Sequence, residues 1–484
     1  MSVHIANLKE YDVDPTGNIV DRNSQSTTIK TMTRVSKQWR IVPDSAIPTT
    51  ANYPTLEDYL KLEDAIGFAF GGMIGSYQVV TFCSAGIGSA VNPENRIDAF
   101  GRQVVTQPFT LFDSQHRYAE NEYWDTVTYG SGSKSHSANE SCINLNVTTA
   151  SGDEVIRETK RVFPYQPGKS LLILNSFAFS SPKENLRQRI GYFGADNGVY
   201  LEHDGQELKI VLRSSVTGSI EEFSVSQSNW NVDKFDGNGI SQIELDISKT
   251  NIFWIDFEWL GVGDIRCGFI ANNRQYVAHI LYNGNKNLTT YMTTATLPLR
   301  YEIKNTGITS VSSTAKQICN TVLSEGGYEQ NSVVHYELNS FSTTTLVSSG
   351  AIQPVTSIRL ASGRLDSVII PATVDAMCLD NNQFVKIDLI RNATLTRSGG
   401  AALTWDLSLD GAVELNRDAD MMSSGEIIYS FLVTGKTASQ IPKLNFDYQL
   451  GRTISGTSDI ITCAATPSQG NINTMAFLGW MHLV

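Results

Sequence analysis

The sequence predicts a mainly β protein: two antiparallel β-sandwich, jelly-roll-like domains behind an N-terminal arm and a short helix. Three observations lead there. Apolar residues recur with a period of two in short runs, the runs are bounded by Asn-, Asp- and Gly-containing turn signals, and Ser, Thr, Asn and Gly fill a composition only 18% charged, against roughly 25% in typical soluble proteins. A chain of 484 residues is too long for one core, and 41% hydrophobic residues can fill more than one. The expected division is an arm and docking helix over 1–75, a first sandwich over 76–323 and a C-terminal sandwich over 324–484.

Residues 1–53 read as an irregular arm, because 14–26 is mostly polar and Pro43 and Pro48 punctuate the remainder. Residues 55–66 carry a helical stripe of Leu56, Tyr59, Leu60, Leu62 and Ile66, with Thr55 as N-cap and Gly67 as stop. From about residue 75 the period becomes two, beginning at Gln78–Phe82 and returning at Asn144–Thr148. Leu171–Leu174 is a continuous apolar run, as in a strand buried on both faces. The Gly- and Ser-rich stretch 129–139 reads as a loop.

In the middle of the chain, Arg189–Phe193, Val199–Glu202 and Glu207–Arg213 are strands separated by the turns Asp196-Asn197-Gly198 and His203-Asp204-Gly205. Phe253, Ile255, Phe257 and Trp259 share one face of the next strand, and Trp254, Asp256 and Glu258 the other. Ile265, Cys267 and Phe269 repeat the apolar face, and Arg274–Ile280 returns. Three such strands make half a sandwich and need a second sheet over them. Tyr301–Ile303 gives a later strand, and a junction is expected in the Ser-, Thr- and Gly-rich stretch 308–328. Beyond it, 357–360, 367–370, 384–390, 403–409, 427–432 and 459–463 are short strand candidates, with Lys386 and Asp388 on one face.

The net charge of −12 and the absence of any Lys/Arg run argue against a nucleic-acid partner. The six cysteines are scattered singly, which fits free, mostly buried thiols folded in a reducing cytosol. The seven histidines are isolated as well, His116, His136 and His203 among them, so no metal or other cofactor is expected. Gly71–Gly75 lacks the Lys-Ser/Thr of a phosphate-binding loop. The first fifteen residues contain no apolar core of a secretory signal, and no stretch approaches the ~20 apolar residues of a membrane helix.

Asp256 and Glu258 are the candidate acid pair. On one strand face they stand about 7 Å apart, a separation at which carboxylates hydrolyse glycosides. Glycosidase sandwiches of this pattern supply a further acid on the same strand, where this chain turns at Leu260-Gly261-Val262-Gly263. The competing assignments are a solvated strand face, ion pairing of these acids with Arg266, and a sugar-contact patch in which Trp254 stacks on a ring beside Asp256 and Glu258. No catalytic residue is assigned, and an enzyme is not expected.

Several segments in order resemble a family of tailed-bacteriophage virion structural proteins, often described as tail-fibre-like. They are Arg161-Val162-Phe163-Pro164-Tyr165-Gln166-Pro167-Gly168-Lys169-Ser170, Arg187-Gln188-Arg189-Ile190-Gly191-Tyr192-Phe193, Ile255-Asp256-Phe257-Glu258-Trp259-Leu260-Gly261-Val262-Gly263, Leu297-Pro298-Leu299-Arg300-Tyr301-Glu302-Ile303, Ser324-Glu325-Gly326-Gly327-Tyr328 and Arg364-Leu365-Asp366-Ser367. The resemblance covers about residues 95–484 and leaves 1–60 outside it. It implies a fibre, adaptor or decoration subunit, assembled in the host cytoplasm into the virion. Its partners would be other virion proteins and copies of itself in a trimer or hexamer. The alternatives are a tail module that binds a host surface glycan and, further off, a glycan depolymerase.

Overall fold

A computed structural model of the chain describes residues 108–329, 334–336, 344–346, 349–435, 438–442 and 446–483, together with six strands nearer the N-terminus. Those six form three antiparallel hairpins: β1 (Tyr11–Val13) with β2 (Ile19–Asp21), β3 (Met32–Val35) with β4 (Gln38–Ile41), and β5 (Gly67–Ile74) with β6 (Tyr77–Ser84). They belong to a compact unit spanning Met1–Asn92. The first two hairpins fall within the stretch expected to be an irregular arm. The boundary expected between residues 75 and 76 falls between the two strands of the third. The helix expected over 55–66 lies outside the described residues.

The second unit, Pro93–Val484, contains two sandwiches. The strands of the first, in chain order, begin with β7 (Phe109–Ser114), β8 (Trp124–Tyr129), β9 (Ser133–Ser137), β10 (Cys142–Val147) and β11 (Glu154–Thr159). Next come β12 (Ser170–Ala178), β13 (Leu186–Phe193), β14 (Gly198–His203), β15 (Leu208–Ser214) and β16 (Glu221–Ser226). The last are β17 (Asn251–Phe257), β18 (Ile265–Ala271), β19 (Arg274–Leu281), β20 (Leu299–Asn305) and β21 (Ser313–Glu325). One sheet runs β19-β18-β17-β12-β21-β10-β9, with β7 also paired to β21. The other runs β16-β15-β14-β13-β20-β11-β8. Every pairing is antiparallel. The facing sides share one core, in which Phe253, Ile255 and Phe257 meet Ile190, Leu201 and Ile303. Burying each such side chain contributes roughly 1.5–3 kcal/mol, so this interface dominates the domain.

The second sandwich is built from β22 (Val334–Tyr336), β23 (Thr344–Leu346), β24 (Gln353–Leu360), β25 (Val368–Cys378), β26 (Phe384–Arg391), β27 (Thr394–Thr396) and β28 (Asp406–Leu407). It continues with β29 (Val413–Asn416), β30 (Met421–Ser423), β31 (Glu426–Thr434), β32 (Ala438–Pro442), β33 (Ile460–Pro467) and β34 (Ile472–Leu483). A five-stranded sheet, β22-β34-β25-β32 with β23 on β34, faces a six-stranded one, β28-β29-β24-β33-β26-β31. The pair β27-β30 stands beside them. Their core gathers Ile369, Val374, Leu478 and Trp480 against Ile358, Ile387, Ile461 and Cys463. The chain is mainly β throughout, and no α-helix occurs among the described residues, which contain only short 3-10 turns such as Gln227–Asn229.

Three sequence expectations differ from this outcome. The stretch 129–139, expected to be a loop, holds the strand β9. Its Ser133-Lys134-Ser135-His136-Ser137 is polar because β9 is an edge strand paired, among the described residues, only to β10, where backbone pairing stabilises the strand without an apolar face. The stretch 308–328, expected to be a junction, holds the thirteen-residue β21, paired to β12 on one side and to β10 and β7 on the other. The strand candidate at 403–409 shrinks to β28. Cys142, Cys267, Cys378 and Cys463 are buried free thiols, and Cys319 is an exposed one.

Candidate functional site

Strand β17 places Trp254 and Asp256 on the face turned away from the core, as the alternation requires, and Glu258 follows directly after its last residue. That face is nonetheless closed over them: their exposures are 1%, 3% and 1%. The Trp254 indole lies across β18 and donates to the Tyr276 carbonyl at 3.2 Å. Gly268, its cross-strand partner, leaves room for it, since a Cβ there would come within 2.9 Å of the ring and 1.9 Å of the Tyr276 oxygen. Asp256 accepts from the Ser170 hydroxyl and pairs with Arg266, the cross-strand ion pair expected from the hairpin. Sugar stacking requires an open ring face and hydrolysis requires acids that a substrate can reach. Buried in this way, Trp254, Asp256 and Glu258 do not form a glycan-contact patch; they pack and tie β12, β17 and β18.

A second polar cluster, unmarked in the sequence, lies between the two sheets. Arg157 on β11 is fully buried. Its Nε donates to Gln317 Oε1 at 2.5 Å, and its Nη1 to Glu120 Oε1 at 2.6 Å and to Thr126 Oγ1 at 2.7 Å. Gln317 donates to Asn320 at 3.1 Å, and Asn320 donates to Asn175 and to the Tyr301 hydroxyl, each at 2.7 Å. The chain of bonds crosses from the seven-stranded sheet to the eight-stranded one. Nearby, the buried His116 accepts the Asn121 N–H on Nδ1 at 3.3 Å. Burial, and then the Arg157 guanidinium, push its pKa down to about 4. Arg157 Nη2 and His116 Nε2 have no hydrogen-bond partner among the described residues. Both are donors in this arrangement, so they call for an acceptor such as a water oxygen or a small anion.

The outer face of the seven-stranded sheet carries alternating charges at cross-strand positions. Glu302 pairs with Arg300 at 2.7 Å and with Arg189 at 3.4 Å, Arg213 with Glu222 at 2.7 Å, and Lys304 with Glu154 at 2.8 Å. Burial alone would raise the Glu302 carboxyl, but Arg300, Arg189 and Arg187 hold it below the ordinary carboxylate range. Beneath them Phe193 and Tyr200 pack in a tilted pair with centroids 4.4 Å apart, and Arg213 lies over Tyr200 at 5.2 Å. The arginines cover the rings and meet the carboxylates at once.

The same charge lattice reaches the second sandwich. Glu158, 1% exposed, accepts from Arg300 on one oxygen and from Arg452 on the other, both at 2.7 Å. Around this point Arg452 N donates to Lys160 O at 2.7 Å, Gln449 Nε2 to Val162 O at 2.8 Å, and Ile454 N to Asp125 Oδ2 at 2.8 Å. Arg161 donates to the Asp447 carbonyl. Val162 packs with Val368, Ile370, Ala372 and Met481 in an apolar cluster shared by both sandwiches. The segment 447–454 therefore clips one sandwich to the other. Of the resembling segments, 161–170 and 297–303 supply Arg161, Val162 and Arg300 to this seam. The pairing of Glu158 with Arg452, almost three hundred residues apart, leaves no trace in local spacing.

A shallow, open depression of about 330 Å³ lies at one end of the first sandwich. It is lined by Leu208, Leu245, Ile247, His203, Glu207 and Gln227 among others. Among the described residues no group of three or more His, Cys, Asp and Glu side chains is placed to hold a metal ion, and no helix is long and apolar enough to cross a membrane.

The class this architecture defines is a tandem antiparallel β-sandwich protein. No family model matches the chain, and no curated protein is similar to it. Among solved structures it is similar to a Bacillus licheniformis β-glucanase, at 10% identity over 45% of this chain and 98% of that one, with a TM-score of 0.30. A Bauhinia forficata lectin in complex with GalNAc aligns at 11% identity over 44% and 97%, with a TM-score of 0.26. The CBM2 module of the evolved Dit of Lactobacillus casei BL23 phage J-1 aligns at 6% identity over 46% and 99%, with a TM-score of 0.31. Scores this low leave the fold to be read from the sheets themselves and carry no argument about activity.

Proposed function

We propose that the protein is a non-catalytic structural subunit of a tailed-phage virion, acting by multivalent assembly with other virion proteins and with copies of itself. One observation carries the reading. The ionisable side chains that chemistry would use are buried and paired, joining strand to strand, sheet to sheet and sandwich to sandwich, as Arg157 does within the first sandwich and Glu158 does at the seam. A subunit that transmits contacts through a particle needs a body of this kind. The resemblance of the ordered segments over residues 95–484 supplies the virion context. In purified particles of the source virus, mass spectrometry should find the chain at a fixed copy number, in small multiples of three or six for a fibre or baseplate part and in the hundreds for a decoration or tail-shaft part. Its absence from particles would overturn the proposal.

The second reading, a carbohydrate-binding module of a tail, has an open depression to use, lined by Leu208, Leu245, Ile247, His203, Glu207 and Gln227. On that reading the glycan contact lies there and not at Trp254.

A further inference from the structure

We infer that Asn238 is a site of spontaneous covalent modification, at which the folded chain converts its own side-chain amide to aspartate and isoaspartate without an enzyme. The inference holds whether or not the chain assembles into a particle. An Asn-Gly pair can close on itself, because glycine has no Cβ to hinder the approach of its nitrogen to the asparagine side chain. The sequence contains three such pairs, Asn197-Gly198, Asn238-Gly239 and Asn283-Gly284, and the fold treats them differently.

Two of the three are locked. Asn197 is 3% exposed. Its Nδ2 donates to Ser215 Oγ at 3.0 Å and to Thr293 Oγ1 at 2.7 Å, and its Oδ1 accepts the Ser215 and Thr293 N–H groups at 3.2 and 3.1 Å. Asn283 is 6% exposed. Its Nδ2 donates to Gly263 O at 2.9 Å, and its own N–H to Asp264 Oδ1 at 2.8 Å. Asn238 is exposed, in the loop between Gln227–Asn229 and β17. Its amide makes one long bond, from Nδ2 to Asp236 O at 3.3 Å. The Gly239 N–H donates to no acceptor among the described residues. The neighbouring Asp236-Gly237 pair lacks this freedom, because the Gly237 N–H is held by Ile243 O at 3.0 Å.

The Gly239 nitrogen, giving its proton to hydroxide, attacks Cγ of Asn238. The bond from Cγ to Nδ2 breaks, Nδ2 takes a proton from water and leaves as ammonia, and a five-membered imide remains. Water then opens the imide. Cleavage of the new bond to Cγ gives aspartate. Cleavage of the bond to the main-chain carbonyl carbon gives isoaspartate, whose main chain is one methylene longer. Nothing is oxidised or reduced, and either product adds one negative charge to the −12 of the chain. The longer product strains a tight place. A Cβ on Gly239 would come within 2.0 Å of Asp233 Oδ1, so the main chain there has no room on that side. The Asp233 carboxylate accepts the Phe235 and Ser241 N–H groups at 2.8 and 2.6 Å, and Phe235 packs on Phe269 in the core with centroids 5.1 Å apart. Isoaspartate therefore loosens Phe235 through Asp233.

The test incubates the full-length folded chain at pH 8 and 37 °C. Peptides are read by mass spectrometry with electron-transfer fragmentation, which tells isoaspartate from aspartate. Asn238 should react at least about tenfold faster than Asn197 and Asn283, whose buried hydrogen bonds must break first. In guanidinium chloride the three should react at similar rates, which assigns the difference to the fold. The acidic product at this position should disappear in Asn238→Gln, which closes a less favoured six-membered ring and keeps the backbone bond from residue 238 to Asp236 Oδ1. The isoaspartate form, isolated by chromatography, should melt below the unmodified chain. A folded chain in which Asn238 reacts no faster than Asn197 or Asn283 would overturn the inference. An isoaspartate form that melts together with the unmodified chain would overturn its link to Asp233 and Phe235.

Discussion

His116 shows how one side chain can carry part of the acid stability of a domain. In an unfolded chain its imidazole titrates near the ordinary 6.5; in the fold, burial and the neighbouring Arg157 bring it down to about 4. The charged groups facing it are Arg157, Lys134, Glu120 and His136, and the net effect keeps it neutral. Between pH 6.5 and 4 the unfolded state therefore binds the proton first, and stability falls as pH drops through that window, by at most about 3 kcal/mol. The Glu302 carboxyl, held low by its arginines, adds a loss in the same direction at lower pH. Urea unfolding at pH 7 and at pH 4.5 should show His116→Gln losing less stability across the interval than the wild type; equal losses would mean that His116 does not set the slope. At Trp254 the local chemistry misleads. Its place beside two carboxylates suggests a sugar platform, but the ring is 1% exposed. Trp254→Ala should cost about 3–5 kcal/mol of stability, read as a fall in melting temperature, and any binding lost with it would result from unfolding.

At the scale of elements, legibility tracks the kind of partner each strand has. Strands β13 to β15 and β17 to β19 are readable because one face is apolar and the turns between them carry Gly198, Gly205, Asn272 and Asn273, whose positive φ matches residues that tolerate it. Strand β21 is not. Its inward positions include Gln317 and Asn320, which serve the polar chain from Arg157, and Ser324, which donates to the Gly327 carbonyl, and so the hydrophobic alternation is erased. Strand β34 escapes for another reason: Ile472, Met475, Ala476, Leu478, Trp480 and Met481 are buried without a strict period of two, because Leu478 and Trp480 face the sandwich core while Met481 joins the seam cluster on the other face. The candidate acids are legible as residues and as a strand face. Their burial depends on cross-strand neighbours far away in sequence, and no local pattern records that.

For the molecule as a whole, the seam decides whether residues 108–483 behave as one body. Glu158 is buried and held by one arginine from each sandwich. Arg452→Ala leaves only Arg300 on it and loosens the 447–454 clip, whose bonds to Lys160, Val162 and Asp125 remain, at a cost of about 1–3 kcal/mol. Calorimetry should show a single transition for the wild type split into two in the variant, and a transition that remains single would place the coupling elsewhere in the seam. The pairing of β34 has a consequence on the ribosome. Strands β22, β23 and β25 all bond to β34 and, among the described residues, do not pair with one another, yet β25 is complete at Cys378 and β34 begins only at Ile472. At roughly 5–20 residues per second, translation leaves them without that partner for about 5–20 s. During that interval each nascent chain carries apolar strands awaiting their centre. Neighbouring ribosomes on one message then hold many such chains close together, each with β25 still lacking its central partner.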